Sequence, residues 1–398
     1  MDVVEHVEGR TKLLVPLASL KSRGPPPKNP AFFNPLASVT RDFAVLFYAA
    51  RSAQAQSKIR LLDALAGVGA RGIRVANESS TSIDVHLNDA NPAAADLARR
   101  NCEINGISDR CEVSVEDANV LMYSAPRRGE RFDAIDVDPF GSPVPFVEAA
   151  LSTVRLGGVA AFTATDLSAL TGKSRASGLR KYYVDLSPTD FPHEVAARAL
   201  AGYLVIRAAS RERGARPLFA HVDSQYVRVY VEVRGSARAA DESLRGIGYL
   251  EYCPRCLYRG IRAADERGRT CPYCGGKLQI LGPLWLGDLF DRGLLEAMLR
   301  ESESRGWSGR SKVLSRMLQE VGLPPYYYSL DSIADALGIC VPRVDSVVEE
   351  LRSLGYKAAR SGIYGLGVRT DAPHGEVIEA VRRLSPCGPP PEPKGDHV

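Results

Sequence analysis

The segment Asp136-Val-Asp138-Pro139-Phe140-Gly141 carries the most specific chemistry in the chain. It closes an apolar run, 132–137, that reads as a buried strand, so Asp138 falls at a strand's carboxyl end. An exocyclic amine on a nucleobase is a poor nucleophile, because its lone pair is delocalised into the ring. A carboxylate beside it accepts one N–H and takes up the proton as a methyl group arrives. Proline stiffens the turn and keeps its carbonyl free as an acceptor, and an aromatic ring stacks on the base. Asp138, Pro139 and Phe140 suit those roles. Hydride transfer has no use for them.

Upstream, Gly67-Val-Gly69-Ala-Arg-Gly72 follows a second strand-like run, 59–64, and Asp89 ends a third, 83–87. The glycines allow close approach of a ligand, and the acid accepts both hydroxyls of a ribose. That pattern serves nicotinamide enzymes and S-adenosylmethionine methyltransferases alike. The Asp138 turn favours the second.

Cys253-Pro-Arg-Cys256 and Cys271-Pro-Tyr-Cys274 are two C-x2-C pairs fourteen residues apart. Each spacing turns two thiolates toward one metal, and two such turns complete a tetrahedral four-thiolate site with no position left for water. Redox dithiols or a pair of disulfides are the rival readings. A cytoplasmic setting and the lack of a thioredoxin-like βαβ frame disfavour both, so one structural Zn2+ is expected. Cys102, Cys111, Cys340 and Cys387 are scattered and read as plain thiols.

The elements that must position these groups alternate in the α/β manner. Strands are predicted at 59–64, 83–87, 111–115, 132–137 and 158–162, with helices at 73–78, 92–105 and 193–211. Two further strands, 219–222 and 226–233, close a doubly wound sheet as a hairpin. Beyond the cysteines, 330–337 and 341–354 read as helix–turn–helix and 356–368 as a β wing. The expected organisation is an α/β methyltransferase-like domain with an amino-terminal arm, 1–240, then the four-cysteine zinc-ribbon element, 241–282. A smaller α+β winged-helix-like domain, 283–384, and a disordered proline-rich tail, 385–398, would follow.

Several blocks together resemble the tRNA guanine-26 N2-dimethyltransferases, particularly the archaeal type. They are Phe32-Phe-Asn-Pro35 with Thr40-Arg-Asp42, Asp63 through Gly72, Asn88-Asp-Ala-Asn-Pro92 and Asp138-Pro-Phe-Gly-Ser-Pro143. Thr165 through Gly172, Leu179-Arg-Lys-Tyr182 and Gly282-Pro-Leu-Trp-Leu-Gly287 complete the set. Thr40 and Phe33 stand where the family pattern has asparagine and tyrosine. The resemblance implies a class I, Rossmann-like fold and successive transfer of two methyl groups from S-adenosylmethionine to N2 of a flipped-out guanine. It implies cofactor contacts at Arg41, Asp63, Gly67, Gly69, Arg71, Asp89, Asp117 and Ala118. Arg41 or Arg71 would pair with the cofactor carboxylate, Asp89 would hold the ribose, and Asp117 with the Ala118 backbone would read the adenine edge. Asp138 would act as base with Pro139, and Phe140 with Phe32 would clamp the guanine.

Composition is that of a soluble globular protein, with the cytoplasm as the default setting, and the resemblance adds tRNA as the expected partner. The 398 residues are 45% hydrophobic and 25% charged, enough for two or three domains. No apolar run approaches the roughly 18 residues of a membrane helix, and the start lacks the layout of a secretory leader. No membrane association and no obligate protein partner are expected. Forty-one of the 51 basic residues are arginine, whose planar fork suits phosphate. Thirteen arginines against eight acids lie between Tyr203 and Thr270, and Arg255, Arg259, Arg262, Arg267 and Arg269 would extend a basic surface. Lys173, Arg175, Arg180 and Lys181, with no acid among them, are predicted to grip tRNA phosphate. Three other classes stay open: a catalytically silent zinc-ribbon tRNA-binding protein, a methyltransferase of ribosomal-RNA or DNA amines, and an NAD dehydrogenase, which cofactor-binding calorimetry would separate. Methyl transfer to unmodified tRNA separates the first from the enzyme.

Overall fold

The computed structural model describes residues 2–22, 31–55, 58–79, 83–262 and 270–387. Its main sheet contains β1 (Ile59–Asp63), β2 (Ile83–Asn88), β3 (Cys111–Ser114), β4 (Phe132–Val137), β5 (Val154–Ala164), β6 (Arg213–Asp223) and β7 (Tyr226–Gly235). They lie in the order β3-β2-β1-β4-β5-β7-β6. The first five are parallel, and β7 is antiparallel to both its neighbours. From β1 the chain winds outward to β3, then returns to place β4 on the other side of β1. Crossovers that run in opposite directions from β1 put helices on both faces and open a crevice at the carboxyl ends of β1 and β4. The central strands are apolar throughout because both faces are covered; Leu61, Leu62, Ile135, Val137, Ala160 and Phe162 are all 0% exposed.

The predicted α/β alternation is present, with instructive differences at the ends. The helix after the glycine loop begins at Ala70, three residues early, because left-handed Gly69 is its N-cap. β6 begins at Arg213 although Pro217 interrupts it; an edge strand tolerates a missing N–H donor. In the helix–turn–helix unit Gly338 caps helix Leu330–Leu337 in the left-handed region, and the second helix is Val344–Ser353. Its start is delayed past 341 by Pro342 and extended Arg343. The wing strands are Ala358–Arg360 and Gly367–Thr370.

Four cysteines read as plain thiols are instead paired, Cys102 with Cys111 and Cys340 with Cys387. The first bridge joins the helix Pro92–Ile104 to β3, which the intervening turn brings back beside it. The second holds residues 385–387 against the loop after Leu337, where Ser385 also donates to the Cys340 carbonyl at 3.0 Å. Those three residues are therefore anchored; the remainder of the predicted tail, 388–398, lies outside the described residues. Among the described residues no helix is long and apolar enough to cross a membrane.

Buried arginines bolt the parts together. Arg74, fully buried, meets Glu78 at 2.7 Å, Glu8 of the amino-terminal hairpin at 2.7 Å and Asp42 at 2.8 Å. Asp42 also receives Arg310 at 2.8 Å, from helix Ser308–Glu320 of the carboxyl-terminal region. Arg369, on the wing, reaches Glu194 of helix Pro192–Ala209 at 2.5 Å and Glu320 at 2.8 Å. The strand Gln279–Trp285 pairs within the small sheet of the four-cysteine element and runs across residue 282, and helix Ala237–Leu244 runs across residue 240.

Burial pulls the Glu194 carboxyl up, but Arg369 and Arg198 outweigh it and hold it below the ordinary value. At Glu320 burial wins over Arg369, so that carboxyl is raised. Replacing Arg369 with methionine should cost about 3–5 kcal/mol in urea unfolding near neutral pH, because buried carboxylates lose their counter-charge. Glu320 would then rise further. A carboxyl raised in the folded state favours folding as pH falls, so the loss should shrink between about pH 8 and about pH 5. An equal loss at both pH values would contradict this role for the joint.

Candidate active site

The carboxyl ends of β1, β2, β3, β4 and β5 deliver Asp63, Asp89, Asp117, Asp138 and the pair Thr165–Asp166 to one edge of the sheet. In the glycine loop Gly67 and Gly69 have φ of +55° and +79°, a conformation costly for other residues. The Gly67 N–H donates to Asp89 Oδ2 at 2.8 Å, and Asn91 N–H donates to Oδ1 at 2.9 Å. A Cβ at Gly67 would stand 2.9 Å from the Phe32 carbonyl, so the amino-terminal arm lies directly on the loop. Phe32 meets Phe140 edge-on, with ring centroids 4.5 Å apart and planes at 88°. Phe140 remains 53% exposed, so a flat ligand can reach it.

Arg71, in the first turn of helix Ala70–Glu78, ties the loop to the Asp138 turn. Its Nη2 donates to Asp138, its Nε lies 3.6 Å from Asp136, and its Nη1 donates to the Thr40 carbonyl and hydroxyl, each at 3.3 Å. Asp136, fully buried, accepts from Arg228 and from Tyr48, the latter at 3.2 Å. Arg228 in turn donates to Thr163 at 2.6 Å and Tyr230 at 2.8 Å. Burial opposes ionisation of Asp138, but Arg71 and Arg228 outweigh it and hold its carboxyl below the usual range. At Asp63 burial and then Asp136 prevail, and the pKa is pushed up to about 7 although Gly72 N–H donates to it at 3.2 Å.

The turn after Asp138 is clamped to the end of β5. Gly141 N–H donates to Thr165 Oγ1 and Thr165 N–H to the Gly141 carbonyl, both at 2.8 Å. Ser142 and Tyr182 share a hydrogen bond of 2.8 Å, and Tyr182 donates to Asp166 at 2.7 Å. Asp117 caps helix Ala118–Ser124, accepting from Asn119 and Val120 N–H at 2.9 and 3.1 Å.

Arg41 is placed differently from the other residues assigned to the cofactor. It is buried against Glu8 at 2.5 and 2.6 Å, donates to the Asn34 carbonyl at 3.0 Å and lies over the Phe33 ring. These contacts fasten the arm. The basic stretch also acquires partners that its sequence lacks. Arg175 pairs with Asp185 at 2.5 Å and Lys181 with Asp166 at 2.8 Å. Among the described residues, its other two cations, exposed Lys173 and Arg180, have no carboxylate at salt-bridge distance. Arg259, counted as part of a basic surface, is 1% exposed and paired with Asp190 at 2.7 Å, while Arg267 and Arg269 lie outside the described residues.

Four thiols converge as their spacing predicts. Cys253, Cys256, Cys271 and Cys274 place their Sγ atoms within 4.8 Å of one another, with two pairs at 3.5 Å. A tetrahedron of thiolates about 2.3 Å from zinc has edges of about 3.8 Å, so the donor set fits one ion. Backbone N–H groups close each knuckle: Leu257 donates to the Cys253 carbonyl at 2.8 Å and Gly275 to the Cys271 carbonyl at 3.0 Å.

From sequence, Asp136, Asp166 and Tyr182 stood in motifs without a role of their own, and Arg228 and Tyr48 were not singled out. Asp166 had a usable signal, an acid directly after a strand on the ligand-binding edge. Arg228, inside an antiparallel strand, had none.

The profile of the N2,N2-dimethylguanosine tRNA methyltransferase family matches residues 9–382. A protein of Methanopyrus kandleri named tRNA (guanine(26)-N(2))-dimethyltransferase is 42% identical over 385 residues, covering 96% of this chain and 97% of that one. A protein of the same name from Methanothermobacter thermautotrophicus is 35% identical, covering 95% and 98%. Among solved structures, Trm1 of Pyrococcus horikoshii in complex with S-adenosyl-L-methionine superposes with a TM-score of 0.80 at 30% identity, over 95% of this chain and 99% of that one. The chain belongs to the N2,N2-dimethylguanosine tRNA methyltransferase family.

Proposed function

We propose that this protein methylates N2 of guanine-26 in tRNA twice in succession, in the cytoplasm, using S-adenosylmethionine and carrying one structural zinc. The observation that supports this most is the Asp138-Pro139-Phe140 turn, its carboxylate ionised by Arg71 and its ring beside Phe32. Bound S-adenosylmethionine supplies an electrophilic methyl group on its sulfonium. The residues present fit that cofactor. Asp89 is partly exposed and positioned by Gly67 to accept ribose hydroxyls, and Asp117 with the Ala118 backbone borders the place for a purine edge. Arg71 lies at the loop and would reach the cofactor carboxylate by exchanging its 3.3 Å bonds to Thr40, while Arg41 serves the arm that covers the loop.

Guanine must leave its stack to enter, at a cost of roughly a few kcal/mol, and Phe140 with Phe32 offers an apolar slot to receive it. Asp138 then accepts an N2–H. Forming the carbon–nitrogen bond would break the methyl–sulfonium bond and leave a neutral thioether; Asp138 would take the N2 proton and release it to solvent, and the neutral monomethyl amine retains one N–H for the second round. Asp138 does not need both oxygens for Arg71, so the same carboxylate can hold the amine and its counter-charge together. The exposed cations Lys173 and Arg180 would meet phosphate beside this slot, with Arg175 and Lys181 available on exchange of their carboxylate partners.

Asp138→Asn keeps the shape of the turn and removes the proton acceptor. It should bind S-adenosylmethionine within about threefold of wild type by calorimetry, yet lose about 10²- to 10⁴-fold in methyl transfer to unmodified tRNA. Transfer at the wild-type rate would sink the mechanism. For the metal, elemental analysis should give one zinc per chain. Replacing Cys256 and Cys274 with serine should abolish it and lower the thermal midpoint while cofactor affinity holds. Zinc retained by that double variant would place the ion elsewhere.

A further inference from the structure

We propose that Tyr183 is a stacking platform for a nucleobase of the bound tRNA, outside the pocket that takes the methylated guanine. This rests on the tRNA substrate proposed above.

Tyr183 caps helix Arg175–Tyr182 with φ of 53°, in the left-handed region, where a bulky side chain is disfavoured and glycine is the ordinary choice. The cap itself requires only the backbone N–H that Tyr183 donates to the Gly178 carbonyl. Glycine would supply the same bond without strain. Nor does the ring fill the core: Tyr183 is 63% exposed. One side stacks on Tyr203, with centroids 6.4 Å apart and planes at 20°, and Tyr203 is nearly buried. The ring is thus held flat and its other side is turned to solvent.

The surroundings select the partner. Arg180 and Leu179, three and four residues before Tyr183 at the same end of the helix, are both exposed, so a cation and an apolar side chain share the last turn with the aromatic ring. That combination suits single-stranded or unstacked nucleic acid, where a base takes the plane and phosphate takes the charge. Tyr203 also meets Tyr182 edge-on at 5.5 Å, and Tyr182 is the residue bonded to Ser142 of the catalytic turn and to Asp166. A base seated on Tyr183 would therefore register the tRNA against the turn that carries Asp138.

The test uses the full-length protein with Tyr183→Gly and Tyr183→Phe. Binding of fluorescein-labelled unmodified tRNA is followed by anisotropy, and initial rates of methylation give KM for tRNA. Tyr183→Gly should melt at or above the wild-type temperature and bind S-adenosylmethionine normally. Its Kd and KM for tRNA should rise about 5- to 100-fold, the range of one lost base–aromatic stack. Tyr183→Phe should stay within about twofold of wild type. Unchanged tRNA binding by Tyr183→Gly would overturn the proposal, as would equal losses in both variants, which would point to the hydroxyl. Anisotropy needs no methyl transfer, so a wild-type protein that binds tRNA but never methylates it would count against the proposed function and leave the platform standing.

Discussion

At the carboxyl ends of β1 and β4, three carboxylates and two guanidiniums share a volume that water barely enters. Asp136 is completely buried and Asp63 nearly so, while Asp138 keeps 31% of its side chain exposed; Arg71 and Arg228 lie among them. Removing such charges from water costs several kcal/mol each, so the fold must bring the partners together or not form. That requirement aligns β7, which carries Arg228, with β4, which carries Asp136. It also seats helix Ala70–Glu78 so that Arg71 reaches both Asp136 and Asp138, with Thr40 of helix Ser38–Ala55 completing its bonds. Asp138 is the one acid of the three that faces the crevice, and its ionisation is a by-product of the same network. The glycine loop and the Asp138 turn are thereby joined through a single side chain.

The wider distribution of arginine follows the same logic. In the arginine-rich stretch, Arg216, Arg228, Arg234, Arg238 and Arg259 all meet carboxylates of this chain. Arg259 is also packed between the rings of Phe191 and Tyr328, 4.6 Å from each centroid, which holds the small sheet beside the cysteines on both the main domain and the carboxyl-terminal region. A planar guanidinium that stacks and forks at once is suited to such joints. Arginine count was therefore a poor guide to exposed positive charge. Outside that stretch, Lys173 and Arg180 are exposed with no carboxylate at salt-bridge distance among the described residues.

What could be read from the residues was whatever is local in sequence. The order of strands, the glycine loop, the Asp138 turn and the two cysteine pairs all depend on spacings of a few residues, and the fold places them as that spacing requires. Pairings between distant segments were not legible. Arg41 and Glu8, Arg175 and Asp185, Cys340 and Cys387 each became partners only when the chain folded. Edge-strand Pro217 concealed half of β6 for a related reason: tolerance of proline depends on the position of the strand in the sheet, which the local sequence does not specify.

In the proposed reaction Arg71 keeps Asp138 ionised so that it can take protons from the amine. The direct measurement is the pH dependence of single-turnover methyl transfer to tRNA, at saturating S-adenosylmethionine, for wild type and Arg71→Met. Arg71 lowers the Asp138 pKa, so its removal must raise it. The acid limb of the rate profile should therefore move to higher pH in the variant, with the rate recovering as Asp138 ionises. An acid limb at the same pH in both proteins would contradict the account.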